Sequence, residues 1–83
     1  MKEWIKMINE RIKKCIAEML EQVEFIEDNV DLKVYGIDSL SKVQLVISLE
    51  EEFGIAFDDD DINQSHFQSV SSIGELLKKY GFA

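Results

Sequence analysis

The sequence has no proline, only four glycines, one cysteine and one histidine. Each scarcity excludes something. A multi-stranded sandwich or barrel normally carries more turn punctuation, so the missing proline and few glycines favour helices. A single cysteine, Cys15, rules out an internal disulfide and a cysteine-rich zinc site. The one histidine, His66, lies outside any metal-ligand or triad spacing, so a surface or packing role outweighs a catalytic one. No apolar run approaches the length of a membrane span. Basic residues are scarce too: nine Lys plus Arg stand against seventeen Asp plus Glu, for a net charge of -8. Binding a phosphate backbone needs clustered cations, so no nucleic-acid partner is expected, and no membrane. The first residues include Lys2, Glu3 and Lys6 and lack the continuous apolar stretch of a secretory signal; a reducing cytoplasm is the expected location.

What is present suits one domain over residues 1–83, with a core too small to hide a deep cleft. Apolar residues make up 46%, enough to fold. The charge is uneven: residues 1–17 carry +3, residues 18–61 carry -12 and residues 62–83 carry +1. The acidic middle reads first as a solvated surface and more sharply as a docking face for basic partners.

Ile5, Ile8, Ile12, Ile16 and Met19 recur at helical spacing and predict a helix up to about Leu20, with Trp4, Cys15 and Leu20 widening its apolar stripe. Cys15 flanks that stripe and reads as a packing residue, with nothing nearby in sequence to activate a thiolate. Residues 21–38 lose the period. They predict a long loop with at most a short helical turn, pinned to the core by some of Val23, Phe25, Ile26, Val30, Leu32, Val34 and Tyr35; loops of this length are often functional. Asp38 is a good N-cap for a second helix that Gly54 ends. That helix carries two apolar stripes: Leu45, Val46, Leu49 and Phe53 for the core, and Leu40, Val43 and Ile47 about 140° away. A small bundle does not easily bury both, so the second stripe is expected to stay exposed and to meet a partner. Asp58 to Asp61 suit the start of a short third helix. Val70, Ile73, Leu76, Leu77 and Tyr80 form one face of a last helix, for which Ser69, Ser71 and Ser72 are all candidate caps.

The four-acid run fails as a calcium loop. Starting at Asp59, the position that needs glycine holds Gln64 and the one that needs glutamate holds Val70. The remaining feature is Gly36-Ile37-Asp38-Ser39-Leu40. Taken alone, Ser39 is a hydroxyl in the first turn of a capped helix. It also stands at the end of a long loop, where it is reachable, and it adjoins the second stripe through Leu40 and Val43.

Asp38-Ser39-Leu40, then Val43, Leu45-Val46 and Leu49 through Ile55, resemble the acyl carrier and peptidyl carrier proteins. The resemblance is specific over residues 36–60, and the helix pattern extends it to nearly the whole chain. It implies an all-α four-helix bundle with three main helices, a short third helix and a long loop between the first two. It implies that Ser39 carries 4′-phosphopantetheine, transferred from coenzyme A by a separate magnesium-dependent phosphopantetheinyl transferase, and that the arm's thiol holds acyl, polyketide or aminoacyl groups as thioesters. Such a chain is a discrete carrier and not an enzyme. Its expected docking residues are Asp38, Leu40, Val43, Ile47, Glu50 and Glu51, facing loading and synthase enzymes with basic surfaces. Carriers of primary fatty-acid synthesis typically place acids where Ser41 and Gln44 stand here, and often a proline after the second helix. Their absence, with Lys42 and the serine-rich approach to the last helix, favours a dedicated pathway such as polyketide or nonribosomal peptide synthesis. A fatty-acid carrier, and a small acidic helical interaction module without a prosthetic group, are the alternatives.

Overall fold

The apolar spacing of the first segment is realised as α1, Lys2–Met19, in a computed structural model that describes residues 2–20 and 25–82, without the side chains of residues 2–6. Ile8, Ile12, Cys15 and Ile16 are buried, with Met19 packed at their edge; Trp4, Ile5 and Val23 lie outside the described side chains. α1 packs against both other long helices, α2 (Ser39–Phe53) and α3 (Val70–Lys79). On its α2 side, Arg11 donates to the Glu52 carboxylate and to the Glu52 carbonyl, both at 2.8 Å, and lays its guanidinium 4.3 Å from the Phe53 ring centre. On its α3 side the helices approach so closely that a Cβ on Gly74 would come within 2.8 Å of Asn9 Oδ1. That contact gives a reason for a glycine in a helix interior, where it is otherwise costly by about 0.5–1 kcal/mol.

α2 has the caps its sequence announces. The Asp38 carboxylate accepts the Ser41 N–H at 3.0 Å, and Gly54 closes the helix at φ 66°, a left-handed conformation that suits glycine. Leu45, Val46, Leu49 and Phe53 are buried, as their spacing predicts. α3 is capped by Ser69, whose Oγ accepts the Ser72 N–H at 3.2 Å, which decides among the three serines. Lys78 and Lys79 lie in its last turn, next to the negative end of the helix dipole.

Between α1 and α2, residues 25–38 form a loop with one 3-10 turn, Leu32–Tyr35. It is pinned in two ways. Ile26, Leu32 and Ile37 are buried in the core, while Phe25 and Val34 point outward. Its backbone is also tied to the start of α3: the Leu32 N–H donates to the Gln68 carbonyl at 2.8 Å and the Ser71 N–H to the Asp28 carbonyl at 2.9 Å.

Among the described residues the architecture is thus all-α, with three main helices. The short third helix is smaller than its acids suggest: it is a single 3-10 turn, Asp59–Asp61, followed by further turns. Asp61 supplies the reason. Its carboxylate turns inward, where it accepts from Lys79 Nζ at 2.8 Å and from the Tyr80 hydroxyl at 2.6 Å. The Asn63 side chain then accepts the His66 N–H at 2.9 Å, and His66 Nδ1 donates to the Asp61 carbonyl at 2.8 Å. These local side-chain bonds compete with a regular helical ladder.

Candidate functional site

Ser39 is the first residue of α2 and is exposed. The chain leading to it is held firmly. Gly36, at φ 91°, ends the 3-10 turn in a left-handed conformation. The Ile37 N–H donates to the Leu32 carbonyl at 3.2 Å, and the Ile37 side chain is completely buried. Ile37 therefore anchors the backbone two residues before the serine, and Asp38 fixes the helix start one residue before it. The result is a reachable hydroxyl on a rigid support, with no hydrogen bond tying its Oγ to another described residue.

The surroundings suit an anionic group on that oxygen. The first N–H groups of a helix lack intrahelical acceptors and face the positive end of its dipole. Ser39 also lines a pocket of about 280 Å³ between the start of α2 and the turns after Asp61. Val46 and Phe67, both buried, form its floor, and Val43, Ile62, Asn63 and Gln64 line it higher up. Lys33 and Lys42 border it as well, as does Asp38, whose carboxylate is engaged by Ser41. Ligand pockets usually start near 300 Å³, so this one suits part of a linear group rather than a whole bulky ligand. A phosphate-linked chain on Ser39 fits these residues: cations and helix N–H groups for the charge, an apolar floor for the rest.

Nothing in the site provides a strong base. Hydrogen bonds from the Ser41 N–H and hydroxyl hold the Asp38 carboxyl below the usual carboxylate range, which makes it a poor proton acceptor for the serine. Cys15 is far from nucleophilic. Burial, with Glu52 and Glu18 adding to it, pushes its thiol up to about 11, and its Sγ–H points at the Ser48 carbonyl. Among the described residues no three His, Cys, Asp or Glu side chains converge as metal ligands, and no helix is long and apolar enough to cross a membrane.

Leu40, Val43 and Ile47 lie on one exposed face of α2, at 83%, 60% and 47% exposure. They follow directly from Ser39, so the hydroxyl and the apolar stripe share one surface. Asp38 sits at the same end, committed to its cap. The two glutamates diverge. Glu51 is exposed, whereas Glu50 is half-buried and accepts the Phe57 N–H at 2.9 Å, so its carboxylate first of all fastens the chain after α2. The sequence reading missed this bond, and it also missed that Lys33, Asn63 and Gln64 line the same pocket as the serine. A signal for Lys33 was present: it and Lys42 are the two basic residues of the 44-residue acidic middle.

Comparison with known proteins agrees with this geometry. A family model described as a phosphopantetheine attachment site matches residues 10–78. An acyl carrier protein of Buchnera aphidicola subsp. Baizongia pistaciae is 39% identical over 77 residues, which span 90% of this chain and 96% of the relative. An aminoacyl carrier protein of Agrobacterium fabrum is 32% identical over 74 residues, spanning 86% and 89%. Among solved structures, a chain from the complex of an engineered Bradyrhizobium japonicum glycine:[carrier protein] ligase with ATP and a carrier protein from Agrobacterium tumefaciens superposes with a TM-score of 0.75. It is 32% identical, with 87% of this chain and 97% of that chain covered.

Proposed function

This chain belongs to the family of carrier proteins that bear a covalently attached 4′-phosphopantetheine group, and from that premise we propose that Ser39 is its attachment residue and that its cargo is aminoacyl, within a dedicated biosynthetic pathway in the cytoplasm. The carrying observation is the position of Ser39: exposed, first in a capped helix, and opening on a pocket bordered by two lysines. The group supplies a terminal thiol that holds cargo as a thioester. The protein's own residues do the rest. Ile37 and Asp38 fix the attachment oxygen in space. The transferase brings the base that removes its proton, since Asp38 is held in its ionised form by Ser41. Leu40, Val43 and Ile47 present an apolar patch to each enzyme in turn, with Glu51 as the exposed acid beyond it. The chain then acts as one carrier domain and not as an enzyme. A fixed anchor with a flexible arm raises the effective concentration of cargo at whichever enzyme is docked.

The aminoacyl preference rests on the start of α2. Ser41, Lys42 and Gln44 replace a negative rim by neutral and positive groups, so an enzyme surface built for acids there loses pairs worth about 0.2–1 kcal/mol each. A few such losses redirect partner choice without changing the fold. The 32% identical aminoacyl carrier is in keeping with this, while the 39% identical acyl carrier keeps fatty-acyl cargo as the competing reading. The test is to offer the arm-bearing protein to an amino acid:carrier ligase with ATP and, separately, to a malonyl-loading enzyme of fatty-acid synthesis. The proposal expects an aminoacyl mass gain that hydroxylamine removes and little malonyl transfer. Efficient malonyl loading and chain extension, with no aminoacylation, overturns the cargo assignment.

A further inference from the structure

Among the described residues Asp61 is the one charged residue buried from solvent, at 4% exposure. Its carboxylate is met from the end of α3, by Lys79 Nζ and the Tyr80 hydroxyl. The same hydroxyl accepts the Asp58 N–H at 2.8 Å, so Tyr80 clips both ends of the turn at residues 58–61. Its ring packs T-shaped on Phe57, which packs the same way on Phe67. The chain is fixed again further on: Phe67 is buried, and the Gln68 carbonyl accepts the Leu32 N–H. Between these two points, the hydrogen bonds described for residues 62–66 all stay within the segment 59–67, and none reaches α2 or the first loop. Yet Ile62, Asn63 and Gln64 line the same pocket as Ser39 and Val43. The placement of this stretch beside α2 is therefore set from behind, through Asp61, its immediate neighbour in the chain. Ile62 is 41% exposed and shares the pocket lining with the exposed Val43, so it continues the apolar stripe of α2 onto a second element.

Resting on the reading that the α2 stripe docks the phosphopantetheinyl transferase, we propose that Asp61 is a positioning residue for that docking. Held by Lys79 and Tyr80, it fixes Ile62 beside Val43, so that the enzyme meets one preformed apolar surface built from two elements. The end of α3 thus acts on the surroundings of the serine without touching them, since neither Lys79 nor Tyr80 lines the pocket. A surface that is already ordered loses less conformational freedom on binding than a mobile one. The clip accordingly contributes to the affinity of the encounter and not to the chemical step.

The test measures arm attachment by the transferase over a range of carrier concentrations, together with backbone amide exchange of the same proteins. Tyr80→Phe keeps the ring on Phe57 and removes both hydroxyl bonds. Asp61→Asn removes the charge that Lys79 meets, and Lys79→Arg keeps a cation there. Ile8→Val, a small core truncation on α1, controls for plain loss of stability, and Ile47→Asp reports on the stripe itself. Tyr80→Phe and Asp61→Asn should raise KM about threefold or more with kcat unchanged, the pattern of lost uniform binding. Lys79→Arg and Ile8→Val should stay near wild type. In Tyr80→Phe and Asp61→Asn the amides of Ile62, Asn63 and His66 should exchange faster relative to those of Leu45 and Leu49, a rise that Ile8→Val does not produce. Should Asp61→Asn unfold, Tyr80→Phe decides. A KM that stays at the wild-type value while Ile47→Asp raises it, a KM rise matched by Ile8→Val, or a fall in kcat alone overturns the positioning role and leaves the docking reading intact. Ile47→Asp without effect on KM removes the docking reading and the positioning role with it, and a wild-type protein that gains no mass removes the attachment reading and both of these.

Discussion

On α2, Leu45, Val46, Leu49 and Phe53 are buried, while Leu40, Val43 and Ile47 on the opposite face stand in solvent. The two sets are chemically alike, so composition does not distinguish them. What differs is what the rest of the chain brings against each. α1 packs on the first set, which belongs to one core cluster with residues of α3. No described element covers the second, and Ser39 lies at its head. The first face holds the helix in place and the second uses the helix as a platform. Burial of apolar area stabilises by about 25 cal/mol per Å² only where it occurs, so the exposed face contributes little to folding and keeps its binding energy for a partner.

The sharpest way to break this contrast is to truncate one residue on each face. Leu49→Ala empties a fully buried position and should cost about 2–5 kcal/mol, lowering the melting temperature by well over 4 °C. Arm attachment to the remaining folded protein should proceed at the usual rate. Ile47→Asp should do the reverse. Its stability should stay within about 0.5 kcal/mol of wild type, while kcat/KM for the transferase or a loading enzyme falls about tenfold or more, as for a central interface residue. Thermal melts beside loading rates measure both, and an Ile47→Asp protein that unfolds would merge the two faces into one.

A smaller effect separates the stapled turn from the helices around it. Lys79 and then Tyr80 hold the Asp61 carboxyl below its ordinary value of 3.8. A lowered folded-state value means that this contribution is complete above about pH 4 and disappears as pH falls through the folded value. The wild-type melting temperature should therefore decline on acidification from about pH 5 to pH 2. Asp61→Asn should start lower at neutral pH and decline less over the same interval. Parallel curves for the two proteins would leave the staple without energetic weight. The smallest effect concerns the acidic surface. Association rates with a basic partner should drop as salt rises, because attraction between exposed charges is screened over about 8 Å at physiological ionic strength. A rate indifferent to salt reduces Glu51 and its neighbours to solubility groups.

Much of the molecule was legible in the sequence where the signal is local. Asp38 and Gly54 announce the ends of α2 because capping is decided within a few residues. The two stripes follow from helical periodicity alone, whereas in the first loop, which has no such period, the sequence offered seven apolar candidates without saying that Ile26 and Leu32 would be among those buried. Legibility stopped where a side chain reaches across the chain. The acids at 58–61 look like a helix start, and only the distant Lys79 and Tyr80 explain why Asp61 turns inward and the helix shrinks to one 3-10 turn. Glu50 looks like a docking acid until Phe57 is seen donating to it. Lys33 and Lys42 are nine positions apart and line one pocket, with the buried Ile37 pinning the chain between them.

The central claim, that Ser39 is where the arm is attached, is tested most directly by intact mass after incubation with coenzyme A, magnesium and a phosphopantetheinyl transferase, for wild type and for Ser39→Ala. The substitution removes one exposed hydroxyl and leaves the Asp38 cap in place, so both proteins should melt alike. Wild type should gain the mass of one phosphopantetheine and Ser39→Ala none. A Ser39→Ala protein modified at the wild-type rate, or a wild-type protein that stays unmodified, would contradict the account.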